Sequence, residues 1–135
     1  MTPLTRRRLL AALALPAVAG CAGPKKGSDR IQEAGTLTGT LVPSPDPPRV
    51  GLDTDFGVIL TDRGTPVIGA QVAIALFFRS MNQAGPTAVC TAVAPGRYLA
   101  SALTTGMNGR WEAVVTISRP SQPDAQLTFP FLVAK

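Results

Sequence analysis

The side chains that carry most enzyme chemistry are scarce in this chain of 135 residues. Histidine is absent, which removes the usual general base and the commonest metal ligand. No serine stands in a nucleophile-elbow setting, and no cluster of carboxylates has metal-ligand spacing. Asp53 and Asp55 come nearest. They lie two apart, so on a strand they face one side and could hold a cation; solvated acids at the start of a strand look the same. This inventory argues against an enzyme. What remains is sulfur. Besides Met1 the chain has Met81 and Met107, with two cysteines, Cys21 and Cys90. Thioethers and thiolates are soft ligands that select Cu(I) outside the cytoplasm. Met81, Met107 and Cys90 are therefore candidate metal ligands, with plain packing as the competing role of each.

Cys21 has a different claim on it. Arg6, Arg7 and Arg8 form a cationic head, an apolar stretch runs from Leu9 to Ala19, and small residues precede the cysteine. This is the layout of a secretory signal, and the apolar stretch is too short to span a bilayer. Val18-Ala19-Gly20-Cys21 resembles the lipobox of bacterial lipoproteins. That resemblance implies cleavage after residue 20 and a lipid on Cys21, which would tether the mature chain to a membrane. The segment Thr5-Arg6-Arg7-Arg8-Leu9-Leu10 resembles a twin-arginine export signal, with Leu where Phe is usual. A lipidated Cys21 leaves Cys90 alone, so no intrachain disulfide is expected.

The formal charge of +5 misleads about partners. Removing residues 1–20 takes away three arginines and no acid, leaving ten basic side chains against eight acidic ones, a charge of +2. Nucleic acid is not an expected partner. A membrane, through the anchor, and an extracytoplasmic protein are.

The elements that must position these residues read as strands. Residues 22–34 are polar and without period, as in a flexible spacer. Residues 36–42 alternate weakly, and prolines at 43, 45, 47 and 48 stiffen the connection that follows. From Val50 the pattern is β: strands are expected over 54–60, 70–78, 87–93, 97–103, 111–117 and 127–133. Residues 82–86 read as a break, Pro95-Gly96 as a tight turn, and Asn108-Gly109 as a hairpin turn. Six or seven short strands divided by Gly and Pro imply an all-β, immunoglobulin-like sandwich. The expected division is a signal at 1–20, a lipidated cysteine and Pro-rich linker at 21–48, and the sandwich at 49–135. Counting strands places Met81 and Met107 at one end of it, opposite Pro95-Gly96.

Several short motifs recur together in the sandwich. They are Pro48-Arg49-Val50-Gly51, Asp62 to Pro66 with Gly69-Ala70-Gln71-Val72, Met81, Pro95-Gly96-Arg97-Tyr98, and Met107 to Trp111. In order and spacing they resemble the YtkA-like domain family, which is related in pattern to FixH. The resemblance covers 47–118, about half of the chain. It implies a small extracytoplasmic sandwich and a link to copper delivery and respiratory oxidase assembly, with methionine at positions 81 and 107. Gly69, Ala70, Tyr98 and Trp111 have structural readings: a corner between strands, a tyrosine whose hydroxyl reaches the backbone, and an indole capping one end of the core. The expectation is a lipid-anchored, non-catalytic binding module, with Cu(I) handling as the alternative.

Overall fold

Side chains alternate between core and solvent through almost every segment in the computed structural model, which describes residues 30–135. That period of two is what a pleated strand imposes. The strands are β1 (Ile31–Ala34), β2 (Leu37–Ser44), β3 (Asp53–Asp62), β4 (Thr65–Pro66), β5 (Gln71–Phe78), β6 (Gln83–Val89), β7 (Thr91–Ala94), β8 (Arg97–Thr104), β9 (Gly109–Ser118) and β10 (Ala125–Val133). One turn of 3-10 helix, Arg79–Met81, follows β5. Arg6, Arg7 and Cys21 lie outside the described residues.

The strands form two antiparallel sheets. One has the order β10-β9-β5-β6, the other β1-β2-β3-β8-β7, with β4 paired to β3. The fold is an all-β sandwich. Leu41, Phe56, Val58 and Leu60 of one sheet, with Ile74, Leu76, Val115, Ile117, Leu127 and Phe129 of the other, are fully buried. Phe56 and Phe131 meet across the sheets edge to face, with ring centroids 5.5 Å apart. Gly39 faces inward beneath Leu127, where any Cβ would strike the Leu127 side chain.

Five expectations need correction. The linker at 21–48 is too long: β1 pairs with β2, and β2 pairs with β3 from Leu37↔Asp62 to Ser44↔Asp55. Leu37 and Leu41 are buried there, but the inward residue between them is Gly39, so the apolar alternation reads weakly. Residues 83–86 are not a break but the start of β6, an edge strand. The register of β5 with β6 shifts between Ala75 and Phe77, and Pro86 falls in that irregularity, where an edge strand tolerates a missing donor. The strand expected at 87–93 is split at Cys90, where the chain leaves one sheet for the other. Asn108-Gly109 is no hairpin either, because β8 and β9 lie in different sheets. With β1 and β4 added, the described residues hold ten strand segments where six or seven were expected.

Each end of the sandwich is sealed by one aromatic side chain. At one end Tyr98 is buried; its hydroxyl donates to the Val67 carbonyl at 2.8 Å and accepts from the Ala70 N–H at 3.3 Å. This ties β8 to the corner that Gly69 turns with φ +79°. Gly96 is essential beside it, since a Cβ there would lie 2.8 Å from the Leu60 carbonyl oxygen. At the same end Asp62 of β3 holds Arg119, just beyond β9, at 2.8 Å and so links the two sheets. At the other end Trp111 packs on Phe78, with centroids 5.0 Å apart, and its Nε1 donates to the Met107 carbonyl at 2.9 Å.

Two outcomes follow. Trp111→Ala should destabilise the domain by about 3–5 kcal/mol, read as a fall in the urea midpoint, because the cavity would lie against both Phe78 and Gly85. The hydrogen bond from Arg119, then that from Thr36, holds the Asp62 carboxyl below its ordinary 3.8. A lowered carboxyl stabilises the fold above its unfolded value and loses that contribution as pH falls through the folded one. Asp62→Asn should therefore unfold more easily than the native chain at pH 5–7, and the difference should shrink below about pH 3.8.

Candidate binding end of the sandwich

Trp111 of β9 pairs with Phe78 of β5. The chain leaving Phe78 and the chain arriving at Trp111 therefore share one end of the sandwich. The first runs through Arg79–Met81 and reverses at Asn82, which takes a left-handed conformation. The second runs from Thr105 to Gly109. Gly109 has φ +131°, and a Cβ on it would lie 3.2 Å from the Phe78 ring and 3.5 Å from Ser80 Oγ. A side chain here would crowd the contact between the two loops. Arg79 and Glu112 form an ion pair on the same two elements.

Met81 and Met107 sit on these two loops, at the end opposite the Pro95-Gly96 turn. They are 59% and 42% exposed. Neither fills the core, so both thioethers face water on neighbouring loops that Trp111 and Phe78 hold in place. Cys90 is elsewhere. Its N–H donates to the Val72 carbonyl at 2.8 Å, near the start of β5, whereas the methionine loops follow Phe78. Six residues of strand separate these points, about 20 Å. Burial also pushes the Cys90 thiol up to about 11, so it is protonated near neutral pH. Cys90 therefore leaves the candidate ligand set: β6, which pairs Gln83 with Phe78 and Val89 with Ala73, carries the chain to the opposite end before it reaches Cys90. Among the described residues no group of three His, Cys, Asp or Glu could hold a metal ion.

Asp53 and Asp55 have structural partners. Asp53 accepts from the Thr104 hydroxyl at 2.7 Å. Asp55 accepts from the Ala102 N–H at 2.9 Å, where Ala102 takes φ +60° and the β3–β8 register shifts. These carboxylates support the irregularity that aims the end of β8 toward Thr105.

The sequence pattern drew no attention to Gly85. A Cβ there would lie 2.6 Å from the Trp111 ring, so the edge strand carries glycine where the indole lies across it. Leu52, Arg110, Leu132 and Lys135 also escaped notice. Each looked like an ordinary surface residue until the topology gathered them around the methionine loops.

No family model matches the chain, and no curated protein matches it. The fold does have solved counterparts. The chain is similar to a DUF4426 family protein from Pseudomonas aeruginosa, with a TM-score of 0.58 and 15% identity over 77% of this chain and 96% of that one. It is similar to the PmoD soluble domain from a Methylocystis species, with a TM-score of 0.56 and 12% identity over 80% of this chain and 100% of that one. It is also similar to a copper-bound variant of FetP from uropathogenic Escherichia coli, with a TM-score of 0.57 and 7% identity over 76% and 92%. At these identities the likeness establishes a shared β-sandwich fold.

Proposed function

We propose that this protein is a lipid-anchored, extracytoplasmic, non-catalytic binding module of the YtkA-like kind. The observation that carries the reading is the join between the Val18-to-Cys21 motif and a sandwich whose first strand starts at Ile31, so that a folded domain follows the candidate anchor closely. Arg6 and Arg7 fit twin-arginine export, a route for proteins that cross folded. Among the described residues no helix is long and apolar enough to cross a membrane, and a lipid on Cys21 would supply the attachment instead. Wild-type protein should sediment with membranes and partition into detergent. Cys21→Ser should either appear in the soluble fraction or accumulate uncleaved. A Cys21→Ser protein that is cleaved and still membrane-bound would overturn the anchor.

A second reading, Cu(I) handling, is favoured by the exposure of both methionines at one end of the domain. Copper would be cargo here. Met81 and Met107 would hold it, and their soft sulfurs suit Cu(I). The copper-bound FetP variant shows that a sandwich of this fold accommodates the ion. A Cu(I) competition titration against a chromophoric chelator under reducing conditions tests this. Wild type should bind about tenfold or more tightly than the Met81→Leu, Met107→Leu double variant, because Leu keeps the volume and removes the sulfur. Cys90→Ala should leave the affinity unchanged, since that thiol lies at the opposite end. Equal, weak binding by all three proteins would reject copper and leave the plain binding module.

A further inference from the structure

We propose that the outer face of the β10-β9-β5-β6 sheet is a docking surface for a second copy of this chain, so that the binding module is a two-fold dimer. The first observation is an absence of charge. Outward residues alternate with buried ones along these strands, and the register sets them in rows across the sheet. One row is Thr128, Val114, Ala75 and Thr87; the next is Gln126, Thr116, Ala73 and Val89. Neither row holds an ionisable group. Val89 is 77% exposed, the most open large apolar side chain among the described residues. The outward charges on the four strands are Arg110 and Glu112, both near the Trp111 end, and Glu112 is paired with Arg79. The outer face of the other sheet carries Glu33, Asp53, Asp55 and Arg97. A sheet face open to water ordinarily bears such groups, and they keep copies of a chain apart. An extended uncharged face on one sheet alone marks it as a face that is covered.

The second observation is shape. The two alanines leave a groove of about 510 Å³ over β5, walled by Val114 and Thr116 of β9 on one side and by Thr87 and Val89 of β6 on the other. A two-fold axis parallel to the strands, midway between β5 and β9, lays each β9 over the β5 of the other copy and each β10 over the other β6. All four strands then overlap. Val114 enters the groove over Ala75 of the second copy and Thr116 over its Ala73, and the same contacts recur across the axis. Ridge and groove lie side by side in matched rows of one face, as an isologous interface requires. A copy of the chain brings the uncharged ridge that this groove fits. Arg110 and Glu112 fall outside the two rows, at the rim, where charges stay hydrated. The third observation is area. Four strands about 4.8 Å apart, with about eight residues each, present a face of about 19 by 27 Å. Two such faces cover about 1,000 Å² in projection, which reaches the size of a specific interface before side-chain relief is counted.

Sedimentation equilibrium in density-matched detergent tests the dimer, and the wild-type protein should have twice the mass of one chain. Thr116→Arg and Thr116→Glu should each give the single-chain mass, with the circular dichroism spectrum unchanged because Thr116 faces outward. An equal mixture of the two should restore the double mass, since opposite charges then meet across the axis. On intact membranes, Thr116→Cys in a Cys90→Ala background should be joined to a second copy by a short bismaleimide. Ser101→Cys, on the outer face of the other sheet, should not be, and neither should the Cys90→Ala protein itself. A single-chain mass for wild type, a dimer that persists in Thr116→Arg, or a mixture that stays monomeric overturns the proposal. So does cross-linking of Thr116→Cys to a different protein in place of a copy. None of these readouts depends on a lipid at Cys21, so the anchor reading and the dimer fail separately.

Discussion

Gly39 lies directly beneath Leu127, and the closure of the two sheets depends on that fit. Two pleated sheets pack about 10 Å apart, so every inward side chain must find room in the facing layer. Leu127 and Phe129 take the space that Gly39 leaves, and Phe56 meets Phe131 further along the same interface. With that interior filled, the sandwich has little freedom left except at its two ends. There the chain must cross between sheets, and the core would otherwise open to water.

The two ends solve that problem with the same device and different consequences. Tyr98 and Trp111 each bury a ring and give their polar atom to a backbone carbonyl, Val67 in one case and Met107 in the other. Such a pairing removes the cost of burying the polar atom while keeping the ring's apolar contacts. At the Tyr98 end the result is a closed corner, reinforced by the Asp62–Arg119 pair. At the Trp111 end the indole holds the loop that displays Met107, and Phe78 beneath it leads into the turn that displays Met81. One seal is structural throughout; the other also fixes a pair of exposed thioethers.

The soft-ligand chemistry is divided in the same way. A half-buried, protonated thiol and two solvent-facing thioethers are separated by nearly a strand's length, so they serve separate ends of the domain. Cys90 belongs to the seam where an edge strand changes sheets, and the two methionines to the loops at the other end.

Much of this was legible in the residues. Alternation with a period of two fixes strands whatever their partners, so 54–60, 97–103, 111–117 and 127–133 read correctly and with them the all-β class. The absence of histidine and the layout of residues 1–21 are likewise properties of the chain alone. Pairing is not local, and what depended on it was hidden. Asn108-Gly109 carries the chemistry of a hairpin turn, yet the strands around it belong to different sheets, because Trp111 finds Phe78 rather than Leu103. Residues 83–86 look like a break because Gly85 and Pro86 are poor strand formers; only the indole above Gly85 and the open edge beside Pro86 make a strand there possible. Cys90 alternates like its neighbours, and only the pairing of β6 with β5, from Gln83↔Phe78 to Val89↔Ala73, puts it a strand's length from the methionines. Local pattern determined which residues turn inward; contacts between distant strands decided which of them share an end.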